Sequence, residues 1–152
     1  MPSALGLRNL LVPIADNVES ERAMDVACRL ATDHGATIAA VSVIEVPTVL
    51  PLGSHMTAEE RTAHRLLERA AAIGDTYGVV VVPRIVRARD AAEAIVAHAE
   101  QRRSEMVVIG APRKRQKAIG STVEHVLRKA PCRVMVIGAA AAGATVTRTA
   151  AA

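Results

Sequence analysis

The chain has 152 residues, of which 51% are hydrophobic, and a formal net charge of +4. That length and apolar content fit one domain with a core of its own and exclude a disordered chain. With no Trp, no Phe and a single tyrosine, Tyr77, it lacks the rings on which single-stranded nucleic acids stack, so nucleic acid is not an expected partner.

A core without large rings must be packed by Ala, Val, Ile and Leu, which suits a parallel sheet covered by helices. Asn9-Leu-Leu-Val-Pro-Ile14 predicts the first strand. Asp16-Asn17 is a turn and cap signal for a helix to about Asp33, with Ala23, Ala27, Leu30 and Ala31 on one face and Gly35 as terminator. Thr37 to Val46 is rich in β-branched residues and predicts the second strand. Pro47 to Met56 reads as a loop. Thr57 and Glu60 form a capping box for the next helix, whose apolar face is Ala63, Leu66, Leu67, Ala70 and Ile73 and which Gly78 ends. Val79 to Val86 predicts the third strand, at an edge because of Pro83. Asp90 and Glu93 mark a capped helix with Ala91, Ala94, Ile95 and Ala99 inward. Met106 to Ile109 is the fourth strand and Arg133 to Ile137 the fifth, with a helix between them carrying Val123, Val126, Leu127 and Ala130 on one face.

The alternation of five strands and four helices predicts a doubly wound parallel α/β sheet in a single domain, residues 1–138. Residues 139–152 are Ala-rich with no sided pattern, and a disordered tail is expected there. No apolar run approaches the roughly 20 residues of a membrane helix, so membrane insertion is not expected. Arg8 interrupts the short apolar start, which argues against a signal peptide. Cys28 and Cys132 belong to no CxxC pair and read as reduced structural thiols, in keeping with a cytoplasmic location.

Between the fourth strand and the last helix lies Gly110-Ala111-Pro112-Arg113-Lys114-Arg115-Gln116-Lys117-Ala118-Ile119-Gly120-Ser121-Thr122. A glycine-bounded basic loop from a strand's carboxyl end to a helix amino terminus suits a phosphate, because free N–H groups and the helix dipole favour an anion there. Arg113 and Arg115 add charge and bidentate reach. Two plainer readings stand beside this one. Ser121 and Glu124 form a capping-box pattern that explains the serine as a cap, and the loop's charges can simply be solvated. In doubly wound sheets ligands bind beyond the strands' carboxyl ends where the winding reverses, so the Pro13–Asp16 turn and the 110–122 loop flank one expected crevice.

Nothing in the chain points to catalysis. His34, His55, His64, His98 and His125 are scattered without metal-site spacing, Ser121 lacks a nucleophile elbow, and Glu59 and Glu60 point to different helix faces. The expectation is a protein that is not an enzyme and holds no metal of its own.

The ordered set Leu10-Leu-Val-Pro13, Val107-Val-Ile-Gly110, Gly120-Ser-Thr-Val123 and Ala130-Pro-Cys-Arg-Val-Met-Val136 resembles the universal stress protein family over roughly residues 8 to 138. Within it, the basic loop with Gly-Ser-Thr-Val is similar to domains attached to amino-acid permease-type transporters. The resemblance implies a flavodoxin-like fold with strand order 3-2-1-4-5, and a homodimer through the last strand, here Cys132, Val134 and Val136. It also implies an adenine nucleotide as ligand: ATP, with Mg, or AMP or a cyclic dinucleotide such as cyclic di-AMP. Carried onto this chain, Pro13, Ile14, Ala15 and Val43 would line the base, with Asp16 beside them. Gly110, Gly120, Ser121 and Thr122 would contact phosphate, with Ala111, Pro112 and Val123 adjoining. Two positions depart from the family pattern: Arg113 stands where the loop's second glycine falls, in a loop a few residues short, and Ala15 stands where an Asp near the adenine is usual. A nucleotide-independent dimerisation domain, in partnership with a membrane transporter, is the alternative expectation.

Overall fold

The computed structural model describes residues 6–112, 120–138 and 147–150. In chain order the elements are β1 (Asn9–Pro13), α1 (Val18–His34), β2 (Thr37–Glu45), α2 (Thr57–Tyr77), β3 (Val81–Ala88), α3 (Ala91–Gln101), β4 (Met106–Ala111), α4 (Ser121–Lys129), β5 (Arg133–Gly138) and β6 (Thr147–Ala150). The sheet runs β3-β2-β1-β4-β5-β6, parallel as far as β5, so the expected 3-2-1-4-5 order holds and β3 lies at an edge.

The uninterrupted apolar runs of the strands are explained by burial on both faces. Leu10, Val12, Met106 and Val108 face α1 and α2, where they pack with Met24, Ala27 and Leu67. Leu11, Val107 and Ile109 face the other way and pack with Ile95, Val123 and Val126 of α3 and α4. Small side chains on α1, namely Ala23, Ala27 and Ala31, let that helix lie close to the sheet. The single tyrosine, Tyr77, donates to Asp25 and accepts from Arg29 Nε at 3.2 Å, tying α2 to α1. Both cysteines are free and buried, on opposite sides of the sheet. Burial, then the nearby Asp25 charge, pushes the Cys28 thiol up to about 11, and burial also raises Cys132.

The helix ends divide the capping expectations. Asn17 Oδ1 accepts from Ser20 N at 2.8 Å and Asp90 Oδ1 from Glu93 N at 2.9 Å, as side-chain caps do. Thr57 and Ser121 are not caps. Each is already the first helical residue, behind Met56 and Gly120, and neither helix start has a side-chain cap bond. Of the Thr57 box only the return half survives, Glu60 accepting from Met56 N at 3.5 Å. Glu124 pairs instead with Arg128 one turn on, at 2.7 Å.

One expectation about the carboxyl-terminal part is corrected. Thr147–Ala150, within the stretch expected to be disordered, forms a strand that pairs antiparallel with β5. Four residues with two threonines can ladder onto an existing edge without any sided apolar pattern, which is why periodicity did not reveal them. The side chains of Cys132, Val134 and Val136 are 8%, 2% and 5% exposed and pack in the core with α3 and α4.

His98, on α3, has a buried Nε2 with no hydrogen-bond partner among the described residues. Burial, then the charges of Arg102 and Arg84, hold its pKa below the ordinary imidazole value. The folded chain therefore keeps His98 neutral while the unfolded chain protonates near pH 6.5. Its stabilising contribution is complete above that pH and is lost as pH falls through it toward the depressed folded value. Urea midpoints measured from pH 7.5 down to 5 should fall more steeply for the native chain than for His98→Gln. Parallel curves would refute this.

Candidate functional site

β1 is where the winding reverses, with β2 hydrogen-bonded on one side and β4 on the other. Connections leave it in opposite directions, so their starts diverge and a crevice opens beyond the carboxyl ends. A cavity of about 610 Å³ occupies that place, within the size range of small-molecule and cofactor sites.

Most of the residues expected at the site meet in its wall. Pro13, Ile14, Ala15 and Asp16 enter from the β1–α1 turn, Val43 from β2, Gly110 and Pro112 from the end of β4, and Gly120, Ser121, Thr122 and Val123 from the start of α4. Ala111 is absent from the wall. Arg113 and Arg115 lie outside the described residues.

Gly110 owes its identity to a neighbour other than a ligand. A Cβ there would sit 2.5 Å from the Glu19 carbonyl carbon and oxygen and 2.7 Å from Ser20 N, all backbone of the first turn of α1. Its φ is not positive. The close backbone approach expected of this glycine is thus made by α1 itself, at the cavity's edge.

The β1–α1 turn is fastened from within. Ser20, only 3% exposed, accepts from Ala15 N through Oγ at 3.0 Å and keeps one O–H to donate. Asp16, at the rim, pairs with Arg65 of α2 at 3.2 Å. Both partners are largely exposed, so the pair positions the turn more than it stabilises the fold.

Expectation omitted the far wall. Ser42, Ile44 and Glu45 of β2 and Ala58, Glu59, Thr62, Ala63 and Leu66 of α2 also line the cavity. The rule that ligands sit beyond the strands' carboxyl ends applies to β2 as it does to β1, and would have found the β2 residues. Among the described residues the buried polar ones are Ser20, Ser42 and Ser104, and the first two line the cavity. The loop above this wall is pinned by Arg89, whose Nη1 donates to the carbonyls of Val46, Pro47 and Leu50 at 3.2, 2.6 and 2.8 Å. Arg87 donates to Ser54 O at 2.7 Å and pairs with Glu60. Glu45 accepts from Ala91 N at 3.0 Å and so helps to hold the start of α3.

The two ends differ electrically. Asp16 after β1, Glu45 on β2 and Glu59 on α2 bring carboxylates to the cavity, while its β4 side ends on the amino terminus of α4 with its partial positive charge. Such a cavity suits a molecule with hydrogen-bond donors at one end and an anion at the other. No group of three or more metal-binding side chains occurs among the described residues, and no helix among them is long and apolar enough to cross a membrane.

Residues 6–138 match the family model described as the universal stress protein family. A solved universal stress family protein from Burkholderia pseudomallei is 25% identical, covers 91% of this chain and 100% of its own, and superposes with a TM-score of 0.72. The universal stress protein of Archaeoglobus fulgidus, solved in complex with dAMP, is 20% identical over 85% of this chain and 96% of its own, at a TM-score of 0.71. A family protein from Arabidopsis thaliana, solved with AMP bound, is 16% identical over 88% of this chain and 93% of its own, at 0.66. Among curated proteins no match to the chain is found.

Proposed function

The chain belongs to the universal stress protein family, and we propose that it is a non-catalytic regulatory domain that binds an adenine nucleotide in the cavity beyond β1 and β4. The observation that carries this reading is the polarity of the cavity. Its carboxylate-bearing wall offers acceptors to an exocyclic amine or ribose hydroxyls, and its β4 side offers a phosphate the first N–H groups of α4. The dAMP and AMP complexes of two similar proteins support the same ligand class. ATP, with Mg on its phosphates, AMP and cyclic di-AMP are the ligands to compare, and the cytoplasm is the compartment where they would be met.

In this reading Arg113 and Arg115 act as a charge clamp on the phosphates, in place of the glycine cradle that Arg113 interrupts. Isothermal calorimetry with the three nucleotides tests both parts. Binding to the native chain should weaken by about tenfold or more in Arg113→Ala/Arg115→Ala, the loss of one charge-assisted hydrogen bond. Heat from none of them, on protein shown to be folded, would remove the nucleotide reading altogether.

One observation favours a second reading. Gly110 is accounted for by its contact with α1, without a ligand. In that case the domain acts through protein contacts, as a dimer or as the partner of an amino-acid permease-type transporter.

A further inference from the structure

Successive side chains of β2 alternate between the two faces of the sheet. Ile38 and Ala40 pack in the core under α1 and α2, Val41 packs with α3 and α4, and Ile44 packs with Ala63 of α2. Ser42 therefore falls on the α2 face, in a row that is otherwise apolar. It is 4% exposed and lines the cavity. A hydroxyl in such a row costs free energy unless it is hydrogen-bonded, yet Ser42 Oγ has no partner among the described residues. Nor is it sealed in: among those residues the fully enclosed side-chain atom without a partner is His98 Nε2. The Ser42 hydroxyl opens on the cavity. Ser20, the other buried serine there, has already committed its oxygen to Ala15 N.

The surroundings of Ser42 narrow what it meets. Ala58, Ala63 and Leu66 bring small and apolar side chains of α2 to the cavity, which suits a flat ring. The carboxylates of Asp16, Glu45 and Glu59 accept hydrogen bonds and cannot donate them. An adenine ring has one donor group, its exocyclic amine, and those carboxylates can answer it. Its acceptors are ring nitrogens, and they need a donor from the wall. We infer, on the adenine-nucleotide reading above, that Ser42 is a specificity-determining residue of the cavity, its hydroxyl donating to a ring nitrogen of the base.

Calorimetry on the full chain tests this with AMP and with three analogues in which N1, N3 or N7 is replaced by C–H, so that each lacks one acceptor. Ser42→Ala should bind AMP about tenfold more weakly than the native chain does. For one of the three analogues the native chain and Ser42→Ala should agree within about twofold, because the bond is already gone. A penalty on AMP below about twofold would overturn the inference, as a hydroxyl that only holds water would give. So would a penalty that persists undiminished with all three analogues. Without nucleotide, Ser42→Ala should melt no more than about 2 °C below the native chain, since the fold gives the hydroxyl no partner to lose. A larger fall would show the hydroxyl engaged by the fold and would also overturn the inference. AMP that gives no heat with the native chain would remove the nucleotide reading and the role of Ser42 with it. AMP that binds both chains alike would remove the role of Ser42 alone.

Discussion

Replacing Gly110 with alanine is expected to cost about 3 kcal/mol, the upper part of the range for forcing atoms into a packed interior. The added methyl has no flexible side chain to push aside. It meets the carbonyl of Glu19 and the amide of Ser20, and those atoms are fixed by the first turn of α1. Relief requires α1 to move away from β4. Its start carries Ser20, which holds the Ala15 amide, and Glu21, which pairs with Arg69 of α2. For a chain of this size the melting temperature should fall by about 10 °C, measured by calorimetry or far-ultraviolet dichroism. Nucleotide affinity should fall with it, since the displaced turn forms the cavity wall. A melting temperature within about 2 °C of native would show that the helix yields freely and that the glycine has another reason.

Ser121→Glu should separate stability from ligand binding by moving them in opposite directions. Ser121 is the first residue of α4 and is exposed, with Glu124 already in the first turn. A second carboxylate at this end favours the helix dipole by about 0.5 kcal/mol, so melting should hold or rise slightly. The same carboxylate would stand where the nucleotide's phosphate is proposed to bind. It would answer the first N–H groups of α4 itself and repel the ligand, and a loss of about 2 kcal/mol in binding is a loss of roughly thirtyfold in affinity. Calorimetry with AMP reads the second effect and thermal melting the first. Native affinity in Ser121→Glu would place the phosphate elsewhere.

The layers of the fold were legible because their cause is local. Strands buried on both faces must be apolar throughout, and Leu10–Val12 and Met106–Ile109 show it directly. Asn17 and Asp90 were legible as caps for the same reason, a short side chain one step ahead of an apolar period. Thr57 and Ser121 fit the identical pattern, yet the helix begins on the residue itself, a one-residue shift that spacing cannot resolve. At the site, the turn after β1 and the approach to α4 followed from where a parallel sheet puts its ligand. The α2 wall did not, because Ala58, Thr62 and Leu66 come from a helix whose nearness to the crevice depends on tertiary packing. The reason for Gly110 was equally hidden: its contact is with Glu19, far away in sequence. β6 escaped notice because pairing with an existing edge leaves no periodic mark of its own.

The central position of β1 also shapes how the protein is made. Its partner β2 follows closely in the chain, whereas Leu10 meets Met106 only after two further helices and β3 have intervened. Closing that long loop carries the larger entropic cost and is the slower event. The segment β1 to β3 can therefore assemble as a unit before β4 docks. The crevice is the seam where the two halves join, and its β4 and α4 wall is missing until they do. A ligand held across it would act as a latch on the completed chain and slow unfolding in proportion to its occupancy.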